Sequence, residues 1–387
     1  MRAALISIAD TPSPVAGKSL ARRQLDFAFA LGCERVIALG NGAAPEAIAL
    51  RHATEARGAR FHSIGDAHGL LGAVAAADEL LVLAPGLLPE DPRALEALER
   101  GTAVLVLPAG PGVAAGFERI DLERAWGGAL VIGGRLVERL SDLPADSDAT
   151  AALLRIALQA RVAEKRLPEQ ALAEGAWAIL AEGEDAALRQ QGWLKRNLPA
   201  LAGFGAAGPL ARVALERLAI PLLGQPRALA GLWGGLALAL GGAVGAAAYG
   251  WPAAGFVLVA LGALVAEFTA GLRHLRDAPF APPARRLALL VPCLVDAALT
   301  ACAVLAIDGS WLHRLFPPLA LLGALHASRP GQWPGFAAAL GDRALLALAF
   351  ALAAALDLAE PAVMLAALLI VALDAAVFRS RSRITPI

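Results

Sequence analysis

Between Ala228 and Phe378 the chain is nearly continuous apolar sequence, interrupted only by short stretches carrying Arg and Pro. Water is a poor solvent for such a segment and a bilayer is a good one. Six runs approach or reach the length at which a helix crosses about 30 Å of hydrocarbon. They are Leu229–Tyr249, Pro252–Phe268, Leu287–Ile307, Leu312–Leu325, Ala344–Leu356 and Pro361–Phe378. The whole chain is 58% hydrophobic with a mean hydropathy of +0.60, more apolar than an ordinary soluble protein.

Arginine placement orients these runs. Arg273, Arg276, Arg285 and Arg286 follow the second, Arg329 and Arg343 follow the fourth, and Arg379, Arg381 and Arg383 follow the last. With six helices all three groups fall on the side of the N-terminal half. The opposite turns, Gly250-Trp251, Asp308-Gly309-Ser310 and Asp357 to Glu360, carry acid and almost no base. That is the positive-inside pattern, and it predicts an inner (cytoplasmic) membrane protein with both termini cytoplasmic. His313 and Arg314 are the misfit, near the outer end of the fourth run. Pro317-Pro318 interrupts the same run.

The first half reads differently. Ala4–Ile8, Arg35–Leu39, Arg60–Ile64, Leu80–Leu83 and Ala103–Leu107 read as strands. They alternate with helical runs at Leu20–Leu31, Glu46–Arg57, Leu70–Ala77 and Arg93–Arg100. This alternation predicts a Rossmann-like α/β domain with a mostly parallel sheet covered on both faces. Such sheets bind ligands at the carboxyl ends of their strands. After Asp121 the alternation fades, and Ala149–Glu164 and Leu188–Leu201 read as helices. The expected organisation is an α/β domain over 1–185, a helical linker over 186–227 and an all-α transmembrane domain over 228–387. Met1–Asp10 lacks the apolar core of a signal peptide, so the first half is expected in the cytoplasm. Net charge is zero, which gives no case for a nucleic-acid partner. Cys33, Cys293 and Cys302 form no CxxC pair.

The segment from Val15-Ala-Gly-Lys-Ser-Leu to Arg35-Val-Ile-Ala-Leu resembles the stretch after the phosphate loop in sugar-phosphate and inositol-phosphate nucleotidyltransferases. Asp78-Glu-Leu-Leu-Val-Leu-Ala-Pro-Gly is similar to their central strand. Gly192-Trp-Leu-Lys-Arg-Asn-Leu, Gly203-Phe and Arg212 look like the entry to a CDP-alcohol phosphatidyltransferase, a family of about six membrane helices fused in some members behind a cytidylyltransferase. The resemblance covers nearly the whole chain in layout. It implies a nucleotide or CDP-activated substrate, Mg²⁺, and membrane lipid as partner. It also implies either an active phosphatidyltransferase as companion or a homodimer formed through the membrane half.

The departures from both families are specific. A phosphate loop needs glycine and a base so that backbone N–H groups can cradle phosphate. Here the stretch is Ala9-Asp-Thr-Pro-Ser-Pro-Val, without glycine before Gly17, and its prolines remove N–H donors. Pro85-Gly86 stands where the family has Asp-Gly, and proline ligates no metal. Asp91 and Asp121 are the substitutes to consider. The phosphatidyltransferase motif is D-x2-D-G-x2-A-R, then about eight residues, then G-x3-D-x3-D, whose acids hold the metal ions. Its match runs from Ala263 to Arg273 and from Leu289 to Asp296. Glu267 and Asp296 are the acids that remain, beside Arg273. These three are the expected catalytic residues, with Glu267 and Asp296 as metal ligands.

Each candidate has an ordinary reading beside the functional one. An acid inside a membrane span is costly and marks a functional site by default. Glu267 and Asp296 fit either a polar head-group site or a structural role, such as pairing with Arg273. Asp374, near Arg379, has the same two readings. Lys18 is the expected phosphate contact or else a solvated turn lysine. Arg22-Arg23 reads as helix surface. The histidines show no metal spacing and read as structural. Gly241 and Gly245 suit close helix packing, while Gly127-Gly128, Gly133-Gly134 and Gly110-Pro-Gly112 read as turns. Three functions are compatible with these residues. One is a catalytically degenerate relative that partners or regulates an active phosphatidyltransferase in phospholipid head-group synthesis. The second is a working membrane transferase using Glu267, Asp296 and Arg273. The third is a small-molecule transporter with a cytoplasmic sensor.

Overall fold

The computed structural model describes residues 1–8, 14–180, 186–199, 207–280, 285–328 and 339–382. The chain divides into two compact units, Met1–Arg196 with Ala278–Ala281, and Asn197–Asp277 with Pro282–Ile387.

The first unit is α/β. Its elements run β1 (Arg2–Ser7), α1 (Leu20–Ala30), β2 (Arg35–Leu39), α2 (Pro45–Glu55), β3 (Arg60–Ile64), α3 (Leu70–Ala73), β4 (Glu79–Leu83) and β5 (Leu87–Pro89). They continue with α4 (Pro92–Glu99), β6 (Ala103–Pro108), α5 (Ala109–Ala114), β7 (Arg124–Gly133), α6 (Gly134–Val137) and α7 (Ala149–Gln159). The unit closes with β8 (Glu164–Arg166), α8 (Gln170–Ala173), β9 (Trp177–Ile179) and α9 (Ala186–Asn197). Seven strands form one sheet in the order β3-β2-β1-β4-β7-β6-β8, and β5 pairs with β9 beside it. The strands β1 to β4 are parallel, as the apolar runs of β1, β2 and β4 predict. The core is built from those runs: Ala3–Ile6, Val36–Ala38, Leu80–Leu83 and Ala103–Leu107 are buried on both faces.

β7 corrects the sequence reading. It is ten residues long, lies inside the sheet, and runs antiparallel to both β4 and β6. Gly127 and Gly128 are therefore strand residues, not a turn. A side chain at Gly127 would meet Leu105 at 3.0 Å, and Gly128 holds φ of +77° where the register with β6 slips. Glycine lets two backbones approach at this bulge. Gly133 ends β7, Gly134 opens α6, and the Gly110-Pro-Gly112 stretch lies in α5. The helix expected over Leu70–Ala77 is a single turn.

The second unit is helical: α10 (Ala207–Leu223), α11 (Ala228–Ala248), α12 (Pro252–Asp277), α13 (Arg285–Ala306), α14 (Trp311–Ala327), α15 (Arg343–Ala355) and α16 (Ala359–Ser382). Among the described residues, four helices are long and apolar enough to cross a membrane: Ala228–Ala248, Pro252–Asp277, Leu289–Ala306 and Ala359–Ala376. The fourth and fifth expected spans are shorter, α14 with 17 residues and two internal prolines and α15 with 13. The longest helix, α12, packs against α10, α11, α13 and α15. The close packing expected at Gly241 and Gly245 occurs elsewhere. Both face open space, while a side chain at Gly255 of α12 would meet the Ala243 carbonyl at 2.8 Å. The small residues that admit a neighbour are thus on α12.

At one end of this bundle the misfit cations find acids. His313 Nε2 lies 2.9 Å from Glu360, joining the starts of α14 and α16, and Arg314 lies 3.6 Å from Asp308. These pairs neutralise the two cations locally, while Arg314 still counts against the arginine pattern, which is set by Lys and Arg rather than by net charge. Tyr249, Trp251 and Trp311 are exposed at the adjoining turns, the placement of an interfacial aromatic belt.

Candidate functional site

In the α/β unit β1 lies between β2 and β4, and the chain leaves it in opposite directions along the sheet. A crevice of about 770 Å³ opens at the carboxyl ends of these strands. Ser7 ends β1, Leu39 and Gly40 end β2, Gly65 and Asp66 follow β3, and Pro85 and Gly86 follow β4. The turn before α7 supplies Asp146, Ser147 and Asp148. Gly86 has φ of +76°, and its carbonyl accepts from the Leu180 amide at 2.7 Å, which fixes the turn at the crevice wall.

The charged residues lining this crevice, among those described, are Asp66, Asp146 and Asp148, with no Lys or Arg. Two of them also hold structure. Asp66 accepts from the Gly69 amide at 3.0 Å, and Asp148 caps α7 through the Thr150 and Ala151 amides at 2.8 and 3.1 Å. The 9–13 part of the expected phosphate-loop stretch lies outside the described residues. Lys18 is not in the crevice wall. It follows a tight turn with Val15 and pairs with Asp26 at 2.8 Å, a carboxylate shared with Arg57 at 3.1 Å and Arg22 at 3.7 Å. Burial lowers the Lys18 pKa, against the attraction of Asp26. Asp91 caps α4 and pairs with Arg93, and Asp121 pairs with Arg124, so neither replaces the acid missing at Pro85.

Sequence reading missed the polar cluster behind this wall. Arg23, expected on the surface, is 3% exposed. It donates to Glu90 and to the Val15 carbonyl, and its guanidinium stacks 4.7 Å from the Trp193 ring. Trp193 Nε1 donates to the same Glu90 oxygen at 2.8 Å, and Arg196 stands 3.7 Å from the other oxygen. Burial pulls the Arg23 pKa down while Glu90 opposes the shift. Next to it Gln24 donates to the Ala84 and Leu87 carbonyls on either side of Pro85-Gly86. The cluster holds α9 to the α/β unit. Local sequence gives no sign of it, because Glu90 is 67 residues from Arg23.

The helical unit separates the expected catalytic residues. Asp296, on α13, is 2% exposed and accepts from Arg343 at the start of α15: Nε to Oδ1 at 2.9 Å and Nη2 to Oδ2 at 3.2 Å. His326 Nε2, on α14, is 3.6 Å from the same carboxylate. Arg273 is turned to Asp277, one turn along α12, at 3.6 Å. Glu267 is exposed, within electrostatic reach of Asp342 and Arg343. Asp374 accepts from Ser328; Arg379 side-chain placement lies outside the described residues. Asp342 is filled as well: one oxygen caps α15, the other accepts from the Ala207 amide at 2.9 Å.

This donor set does not suit the expected Mg²⁺. A hard dication takes about six oxygen ligands in close octahedral geometry. Both Asp296 oxygens already face a guanidinium. Among the described residues no three His, Cys, Asp or Glu side chains gather to hold a metal ion.

The fold and its crevice define an α/β sheet unit joined to an apolar helical unit. No family model matches the chain, and no curated protein matches it. A solved structure to which it is similar is a glucose-1-phosphate thymidylyltransferase from Bacillus anthracis in complex with a sucrose. The identity is 11% and the TM-score 0.33, over 43% of this chain and 86% of that one.

Proposed function

We propose that this is a multi-pass inner-membrane protein of phospholipid head-group metabolism that works as a non-catalytic partner or regulator of an active phosphatidyltransferase. The observation that carries the reading is the crevice at the strand ends. Its described lining offers three carboxylates and no base to receive a phosphate. A nucleotidyl transfer needs cationic or metal compensation as negative charge gathers on the phosphates. The likeness of the sequence to cytidylyltransferase–phosphatidyltransferase fusions supplies the pathway. The transferase alternative, with Glu267, Arg273 and Asp296 as chemical groups, is weaker because Asp296 is neutralised by Arg343 and Arg273 by Asp277. The transporter alternative has no described passage in its favour.

The experiment pairs two assays. The purified chain, given CTP, Mg²⁺ and inositol or sugar phosphates, releases no pyrophosphate above blank. Its deletion lowers lipid output from a co-expressed active phosphatidyltransferase. Clear pyrophosphate release, or a deletion that leaves lipid output unchanged, overturns the reading.

The same proposal includes six spans with both termini cytoplasmic, α14 and α15 being the short fourth and fifth. Reporter fusions after Arg286, after Gly331 and at the C-terminal tail all report cytoplasm. An external signal from any of them removes this topology.

A further inference from the structure

Asp296 sits ten residues before the end of α13, about 15 Å along the helix. That depth places an acid in the apolar zone of a membrane bundle, where an unpaired charge is costly. It is the one acid of the helical unit that is fully buried among the described residues. Its two oxygens receive the Nε and Nη2 edge of Arg343 as a fork, which takes up the in-plane lone pairs a metal ion would use. Arg343 is itself held, since Nη1 donates to the Gly341 carbonyl at 2.8 Å. His326 closes the same carboxylate from α14. Three helices thus converge on one acid, as they would on a bridging cation.

We propose that Arg343 is the built-in counter-ion of Asp296, standing in the place of a divalent cation and leaving the helical unit independent of metal there. A guanidinium stays charged at every pH a protein meets and is not removed by a chelator. The bridge between α13 and α15 is therefore permanent where a metal bridge would be exchangeable. The ion pair stands without the lipid reading, while the cation whose place it takes is the one the phosphatidyltransferase resemblance implies.

The test uses the full chain in detergent or nanodiscs. Thermal midpoints are measured for the wild type, Asp296→Asn, Arg343→Met and the double variant, each with EDTA or with millimolar Mg²⁺ or Mn²⁺. Mn²⁺ binding is followed in parallel by electron paramagnetic resonance. The wild-type midpoint is the same in EDTA and in either metal, and Asp296→Asn changes no Mn²⁺ signal. Each single variant lowers the midpoint by several degrees, and the double variant regains more than half of the loss. Additive losses overturn the proposal. So does wild-type stabilisation by Mn²⁺ or Mg²⁺ that Asp296→Asn abolishes. If a single variant fails to fold, the neutral double variant and Arg343→Lys decide. A folded, chelator-indifferent double variant with Arg343→Lys between wild type and Arg343→Met supports it, and an unfolded double variant overturns it.

Discussion

Each unit buries a carboxylate against an arginine, and the two pairs solve different problems. Arg23 and Glu90 lie in a protein interior surrounded by water. The pair is enclosed by the Trp193 ring, the Val15 carbonyl and Arg196, and burial still pulls the Arg23 pKa down. A buried ion pair of this kind can often be exchanged for apolar packing at little cost, provided both partners go together. Asp296 and Arg343 have fewer supports, one histidine and one backbone carbonyl. Their surroundings are apolar helices, four of them long and apolar enough to cross a membrane among the described residues. The first pair fixes where α9 lies. The second allows an acid to exist at its depth at all. The lesson is that the same ion pair acts as a specificity device in one solvent and as a condition of insertion in the other.

The sharpest way to break this comparison is at Glu90. Glu90→Gln leaves Arg23 buried without its counter-charge and costs about 3–5 kcal/mol. Chemical denaturation followed by tryptophan fluorescence reads it, with Arg23→Met/Glu90→Met restoring most of the loss. A small effect of the single change would mean that water reaches the cluster and that it is not an interior pair. A middle-sized effect belongs to Asp342, whose oxygens serve the first turn of α15 and the Ala207 amide. Asp342→Ala costs about 1–2 kcal/mol as a lost helix cap, and Asp342→Asn recovers much of it. A thermal shift assay on both variants separates capping from charge. The smallest effect is at the exposed His313–Glu360 pair, where His313→Ala changes stability by about 0.5 kcal/mol or less. A larger loss there, measured in the same assay, would show that this end of the bundle is shielded from water.

Period carries most of the legible signal. The strands β1, β2, β4 and β6 announce themselves as short runs of buried aliphatics, and the apolar helices as long ones. β7 is hidden because Gly127, Gly128 and Gly133 carry a turn's signature, while the fold uses two of them to pass one backbone close to another. Asp296 and Glu267 are legible as acids in an apolar run, since their cost alone singles them out. Their partners are not. Arg343 reads as one more loop arginine because its acid is 47 residues away. Arg23 reads as a surface residue because its acid lies beyond β2 to β5, 67 residues on. Sequence period reports which face is apolar and says nothing of which distant charge will meet it.

The brevity of α15 has a consequence for the surrounding lipid. Thirteen residues of helix rise about 20 Å, and Leu348, Leu352 and Leu356 turn outward from it. The neighbouring α12 has twice as many residues. On the six-span proposal, lipids beside α15 meet a lower apolar wall than lipids beside α12. Acyl chains there must compress, at a fraction of a kcal/mol for each ångström of mismatch. On that proposal the protein carries a thin spot with it, and it is drawn toward membranes whose bilayer is thin already.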